Sequence, residues 1–171
     1  MDTKLGLGLA TGMFYHAPAG TALPTDPTAT IPNTWTHVGD VTNDGITLTM
    51  DKSVENLRNW ANVIKRVIMT EHTETIQAPL MDTTEEVLKT VLGEDNVTTA
   101  SAITTVNLSA ASLPPEEAFL FVMKDGDDMM MIGCTNGQVT SVDDVTFAPE
   151  SAINWVPTIT AMGDGFQFIM K

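Results

Sequence analysis

Residues 46–80 read ITLTMDKSVENLRNWANVIKRVIMTEHTETIQAPL. The opening six residues alternate, with Ile46, Leu48 and Met50 on one side and Thr47, Thr49 and Asp51 on the other. That period of two predicts a half-buried strand. At the far end, 63–80 is apolar at its extremities, while its centre, TEHTETIQ, is rich in threonine and polar on both sides. Threonine favours a pleated chain, so this too reads as a strand. A long strand polar on both sides is out of place in a monomer core. Between them lies ENLRNWAN, 55–62. Val54, Leu57, Ala61 and Ile64 recur at helical spacing, but asparagines at 56, 59 and 62 are poor helix formers. The expectation is an irregular connection, about 51–63, between two long strands.

This segment and its flanks hold Lys52, Arg58, Lys65 and Arg66, half of the eight basic residues, and Trp60, one of three tryptophans. The whole chain of 171 residues nevertheless carries a net charge of -14. A surface that negative repels phosphate backbones and argues against tight nucleic-acid binding. A hydrophobic content of 43% argues against wholesale disorder. The length suits one domain over 1–171 with a sizeable core. A single cysteine, Cys134, excludes an internal disulfide, and its apolar setting predicts a buried thiol. The N-terminus lacks the ordered charged, apolar and small-residue regions of a signal peptide, so synthesis in a cytoplasm is expected. No apolar run approaches the length of a membrane span.

On the N-terminal side, 5–15 reads as a strand or extended arm. Residues 16–34 carry four prolines and almost no charge. An arm and extended loop over about 1–34 is expected, and packing on a neighbouring subunit is one way to order so long a loop. Trp35–Val41 is strand-like, and Asn43-Asp44-Gly45 is a turn signal. On the C-terminal side, about 83–92 is the clearest helix. Thr83 and Glu86 form a capping box, Val87, Leu88, Val91 and Leu92 make one apolar stripe, and Gly93 ends it. Strand patterns follow at 103–108, 118–124, 129–134, 138–147 and 159–170. Asp125-Gly126 and Asn136-Gly137 both predict tight hairpins, and Gly163-Asp164-Gly165 a further break. The pattern as a whole is a mostly antiparallel β-domain with one covering helix.

Catalytic constellations are missing from the sequence. His16, His37 and His72 lack metal-ligand spacing. In GLGLATG, Thr11 stands where a dinucleotide fingerprint needs its third glycine. Asp125-Gly126-Asp127-Asp128 lacks the calcium-loop spacing and reads as a hairpin tip with solvated charges. Glu116-Glu117 and Asp143-Asp144 are neighbours in strands and point to opposite faces, while Glu85 and Glu86 suit a helix first turn. Met129-Met130-Met131 reads as a strand buried on two sides, or as one with a buried face and a subunit contact. No catalytic residue, metal or cofactor is expected, and weight moves to structural or binding roles.

Three segments carry a family resemblance: APAGTALPTD at 17–26, WTHVGDVTNDGITL at 35–48, and VENLRNWANVIKRVIMTEHTETIQAPLMDTTEEVLKTVLG at 54–93. Their order and spacing resemble the major tail tube proteins of long non-contractile-tailed (siphovirus-like) bacteriophages. The resemblance implies an antiparallel β-sandwich or small barrel with one flanking helix. It implies subunits in hexameric rings that stack into a smooth tube, the conduit for genome delivery, with neither enzymatic activity nor cofactor. The implied partners are other copies of the chain and other tail proteins such as tape measure, terminator and tail-tip proteins. Genomic DNA passes through without specific binding, no membrane is engaged, and the location is the virion tail. Acids lining the lumen fit this picture, because they repel phosphates. Trp60, Arg58, Lys65, Arg66, Leu57, Pro24 and Trp35 become candidate subunit contacts, with Trp60 equally consistent with a core position. The rival readings are a tail-tube initiator or terminator, a secretion-system tube protein of the same fold, and a capsid-decorating or adhesion β-domain.

Overall fold

The computed structural model describes residues 3–9, 13–109 and 112–171. Eleven strands run in chain order: β1 (Leu7–Gly8), β2 (Phe14–Pro18), β3 (Thr36–Gly39), β4 (Thr47–Arg58), β5 (Ile64–Gln77), β6 (Val97–Ala100), β7 (Ile103–Val106), β8 (Glu117–Asp125), β9 (Asp128–Val142), β10 (Pro157–Ala161) and β11 (Gln167–Met170). One helix, α1 (Glu85–Leu92), precedes β6. The mainly β, antiparallel class with one helix is thus the observed one.

Nine strands form one sheet in the order β3-β2-β8-β9-β10-β5-β4, with β1 on β8 and β11 on β9, while β6 and β7 form a separate hairpin. The sheet curls. Backbone bridges join Val41, beyond β3, to Leu80, beyond β5, and Leu80 to Trp155. Met81 N donates to Asp40 O at 3.0 Å and Thr42 N to Pro79 O at 2.8 Å, so the two ends are stitched together. Closure satisfies backbone groups that open edges would leave bare. Inside, Phe14, Val38, Ile76, Phe119, Phe121, Ile132, Val139 and Ile159 share one core with α1. Val87, Leu88 and Val91 of the helix are buried there, each contributing about 1.5–3 kcal/mol on area grounds. On the opposite face, Ala17, Trp35, Ala118, Leu120, Val122 and Met131 form a second cluster, with Leu23 and Ile31 of the proline-rich segment packed on it. That segment is therefore ordered by its own sheet.

Several sequence expectations change. The arm is shorter than 1–34, because Phe14–Pro18 is an interior strand between β3 and β8; the expected arm's residues 10–12 lie outside the described residues. The helix begins at Glu85, and Thr84 caps it by accepting from Val87 N at 3.3 Å. Thr83 is outside the helix, and its Oγ1 accepts from Trp155 Nε1 at 3.2 Å, so the capping box fails. Asp125-Gly126 does lie at a hairpin turn, with Gly126 at φ 61°. Asn136-Gly137 does not turn: β9 runs through it with a register shift in its pairing with β8. A Cβ at Gly137 would meet Cys134 Sγ at 2.8 Å and the Phe119 ring at 3.0 Å, so glycine is there for close packing. Cys134 is buried as expected, and desolvation pushes its thiol pKa up to about 11.

The connection expected over 51–63 is also overturned. β4 continues through Arg58, and only 59–63 turns. The asparagines explain the turn. Asn59 Oδ1 accepts from Val63 N at 2.9 Å, and Asn62 adopts φ 61°, a left-handed conformation that asparagine tolerates. Arg58 Nη1 closes the loop by donating to Asn62 O at 2.9 Å.

Candidate functional site

The β4–β5 hairpin is the feature that the core leaves unexplained. Only Thr75–Gln77 of its second strand pair with β10. Beyond them the hairpin projects by about 30 Å at the usual rise per residue. The strand predicted as half-buried at 46–51 is present, but Thr47–Asp51 is exposed because nothing among the described residues covers it. Trp60 stands at the tip with 106% relative exposure, which removes the reading of it as core.

The two faces differ. Cross-strand partners share a face. One face continues from buried Ile76 through Leu48, Met50, Val54, Met69 and Val67, with Glu74, Lys52 and His72 between them and Asn56 toward the tip. Five apolar side chains lie open to solvent here, all exposed. The other face carries Thr47, Thr49, Thr73 and Thr75 with Asp51, Ser53, Glu55 and Glu71, and only nearer the tip Leu57, Ile68 and Arg66. The hairpin is thus two-sided: one face wants an apolar partner, and the other suits water and negative charge.

Its charges are also set apart. Thr47–Gln77 holds four acids and four bases, so the rest of the chain carries the entire net charge of -14. Among the described residues Lys4, Lys89 and Lys171 of the body lie in ion pairs, with Asp128, Glu85 and Asp26, and only Lys124 of the body does not. None of Lys52, Arg58, Lys65 and Arg66 does. The root of the hairpin is held by Glu74, whose Oε2 accepts from Phe166 N at 2.6 Å and whose Oε1 lies 2.7 Å from His72 Nε2. The backbone bond from Phe166 is the main reason its carboxyl pKa falls below the ordinary value, with His72 adding to it against some desolvation.

The remaining candidate contacts divide. Leu57, Arg58, Lys65 and Arg66 are exposed on the hairpin with Trp60. Pro24 is half-buried in the proline-rich segment. Trp35 is only 6% exposed and anchors that segment to its own sheet, leaving little surface for another subunit.

One cluster was invisible in the sequence. His16, read as isolated, has Nε2 2.8 Å from Glu86 Oε1 and Nδ1 3.1 Å from Glu117 Oε2, the second contact being poorly aligned for a hydrogen bond. Burial opposes its charge, but the nearby carboxylates of Glu117 and Glu86 together prevail and raise its pKa. No local pattern joins residues this far apart. Among the described residues no group of histidine, cysteine and carboxylate side chains is placed to hold a metal. The acids at 125 and 128 are less solvated than expected, since Asp128 pairs with Lys4 and Asp125 Oδ2 accepts from Leu5 N at 3.0 Å.

Comparison with known proteins bears on this geometry. The sequence model of the phage tail tube protein family matches residues 7–171. No curated protein matches. Among solved structures, the chain is similar to the tube-terminating cap of the anti-feeding prophage, at 11% identity and a TM-score of 0.50, over 100% of this chain and 97% of that one. It is also similar to the sheath/tube terminator of an extracellular contractile injection system, PVC, in its extended state, at 9% identity and a TM-score of 0.44, over 95% and 96%. At such identities the first likeness bears on the fold alone. With nearly its whole length matched, the chain belongs to the phage tail tube protein family.

Proposed function

We propose that this protein is the major subunit of a tail tube, polymerising as stacked hexameric rings into the conduit through which the phage genome passes. The observation that carries this reading is the two-sided hairpin, long, uncovered and neutral on a strongly acidic body. Hairpins from successive copies, paired edge to edge, close into an inner barrel and leave no bare edge. The apolar face then packs outward on the bodies of the ring. Near the root, the threonine and acid face lines the lumen, where Asp51, Glu55 and Glu71 repel phosphates and let DNA slide, while the tip beyond it, with Leu57 and Arg66, reaches a neighbouring copy. Such a role needs no active site or cofactor. Its partners are further copies and the tape-measure, terminator and tail-tip proteins, and its place is the virion tail.

Electron microscopy of the purified protein tests the proposal. Stacked rings or filaments are expected; a chain that stays monomeric at every concentration overturns it. A second reading is favoured by the likeness to a tube-terminating cap. On this second reading the expected images are single rings that do not stack, so the same experiment separates the two.

A further inference from the structure

Besides the hairpin, a second surface lacks a partner. Between α1, the end of β2 and the starts of β3 and β8 lies an open hollow of about 250 Å³, lined among others by His16, Glu86, Lys89, Thr90, Glu94 and Glu117. Thr90 is 3% exposed, yet its Oγ1 has no hydrogen-bond partner among the described residues. A buried hydroxyl without a partner costs on the order of 1–3 kcal/mol, so its retention at a cavity wall points to a group that arrives from outside. The charges sort in the same direction. Lys89 is tied to Glu85 at 2.8 Å, and His16 is shared between Glu86 and Glu117. Exposed Glu94, at the mouth, has no ion-pair partner among the described residues. The hollow therefore offers several acceptors at different depths and is open to a cation.

The same chain displays the matching donor. Projecting residues 52–69 carry four bases and one acid. Arg58 is engaged by its own turn through Asn62 O. Arg66, opposite Leu57, donates to no side chain or carbonyl among the described residues. A guanidinium presents five donors in a planar fork and loses less by desolvation than an ammonium, which suits a hollow with a deep hydroxyl and flanking carboxylates. We infer that this hollow is the acceptor site for Arg66 of a second copy of the chain, the guanidinium meeting Glu94 and reaching in toward Thr90. This rests on the reading of the protein as self-assembling. It specifies which two surfaces meet.

A charge swap tests it. Arg66→Glu and Glu94→Arg each raise the concentration needed for assembly on the order of 30-fold or more, as expected for breaking one partner of a desolvated charge pair. Combining both changes in one chain restores assembly. Both sites are exposed, so circular dichroism is expected to show every variant folded. As an independent readout, Arg66→Cys with Glu94→Cys forms disulfide-linked chains on oxidation, with Cys134 buried and silent. Assembly of Arg66→Glu at the wild-type concentration, or no rescue and no cross-link in the combined variants, overturns the contact alone. A wild-type chain that never assembles removes the proposed function, and this contact with it.

Discussion

The Glu74 carboxylate accepts a hydrogen bond from the backbone N–H of Phe166 at 2.6 Å, and this bond fastens the projecting hairpin to the barrel. The contact is tight enough that a Cβ at Gly165 would come 2.5 Å from Glu74 Oε2. Glu74→Gln keeps the shape but loses the charge, and is expected to cost about 1–2 kcal/mol in denaturant unfolding. The depressed carboxyl pKa sets the pH behaviour. The contribution is present above the ordinary value of 4.5 and is lost as pH falls through the lower folded value. The variant therefore loses part of the wild-type acid sensitivity, and amide exchange at Thr73–Ile76 speeds up.

On the proposed reading, Trp60 separates folding from assembly. It touches nothing that stabilises the barrel, so Trp60→Ala is expected to shift stability by no more than about 0.5 kcal/mol. Sedimentation of the same sample is expected to show assembly lost or greatly weakened. A large drop in thermal stability would contradict the exposed position.

The two threonines before α1 act through different atoms. Thr84→Ala removes the cap on Val87 N and is expected to cost about 1 kcal/mol. Thr83→Ala leaves the helix capped but strips the buried Trp155 indole of its acceptor. It is expected to cost a similar amount, about 1 kcal/mol, while changing the tryptophan emission, which Thr84→Ala leaves alone.

His16 gives the opposite pH dependence to Glu74. Its raised pKa means that the cluster with Glu86 and Glu117 stabilises in full below the ordinary value of 6.5 and fades as pH rises through the higher folded value. Thermal unfolding followed from about pH 6 to about pH 8.5 is expected to show wild type losing stability. His16→Gln flattens that slope. A wild-type midpoint that rises over the window contradicts the cluster.

Local pattern was enough to read the β-class, the single helix and most strands: the alternation of Ile46–Asp51 does run into β4, although both of its faces there are exposed, and the apolar stripe of Val87, Leu88 and Val91 is the buried side of α1. The hairpin escaped because apolar Val54, Leu57 and Ile64 mimic a helix stripe while facing solvent. The usable signal was the pair Asn59 and Asn62, which shape a turn instead of weakening a helix. Asn136-Gly137 misled for the reverse reason, since its glycine answers to the Phe119 ring and not to a bend. The His16 cluster and the Thr90 hollow join distant segments and leave no trace in any window.

A hairpin with apolar residues uncovered and β4 at its open edge is also a hazard for every copy not yet assembled. Unpaired edges of this kind seed amyloid-like stacking. Lys52, Arg58, Lys65 and Arg66 punctuate that surface, and like charges on stray copies repel one another in any in-register stack. On the proposed reading, the cations of the hairpin then have a second consequence as gatekeepers, opposing stray stacking of copies that have not yet assembled.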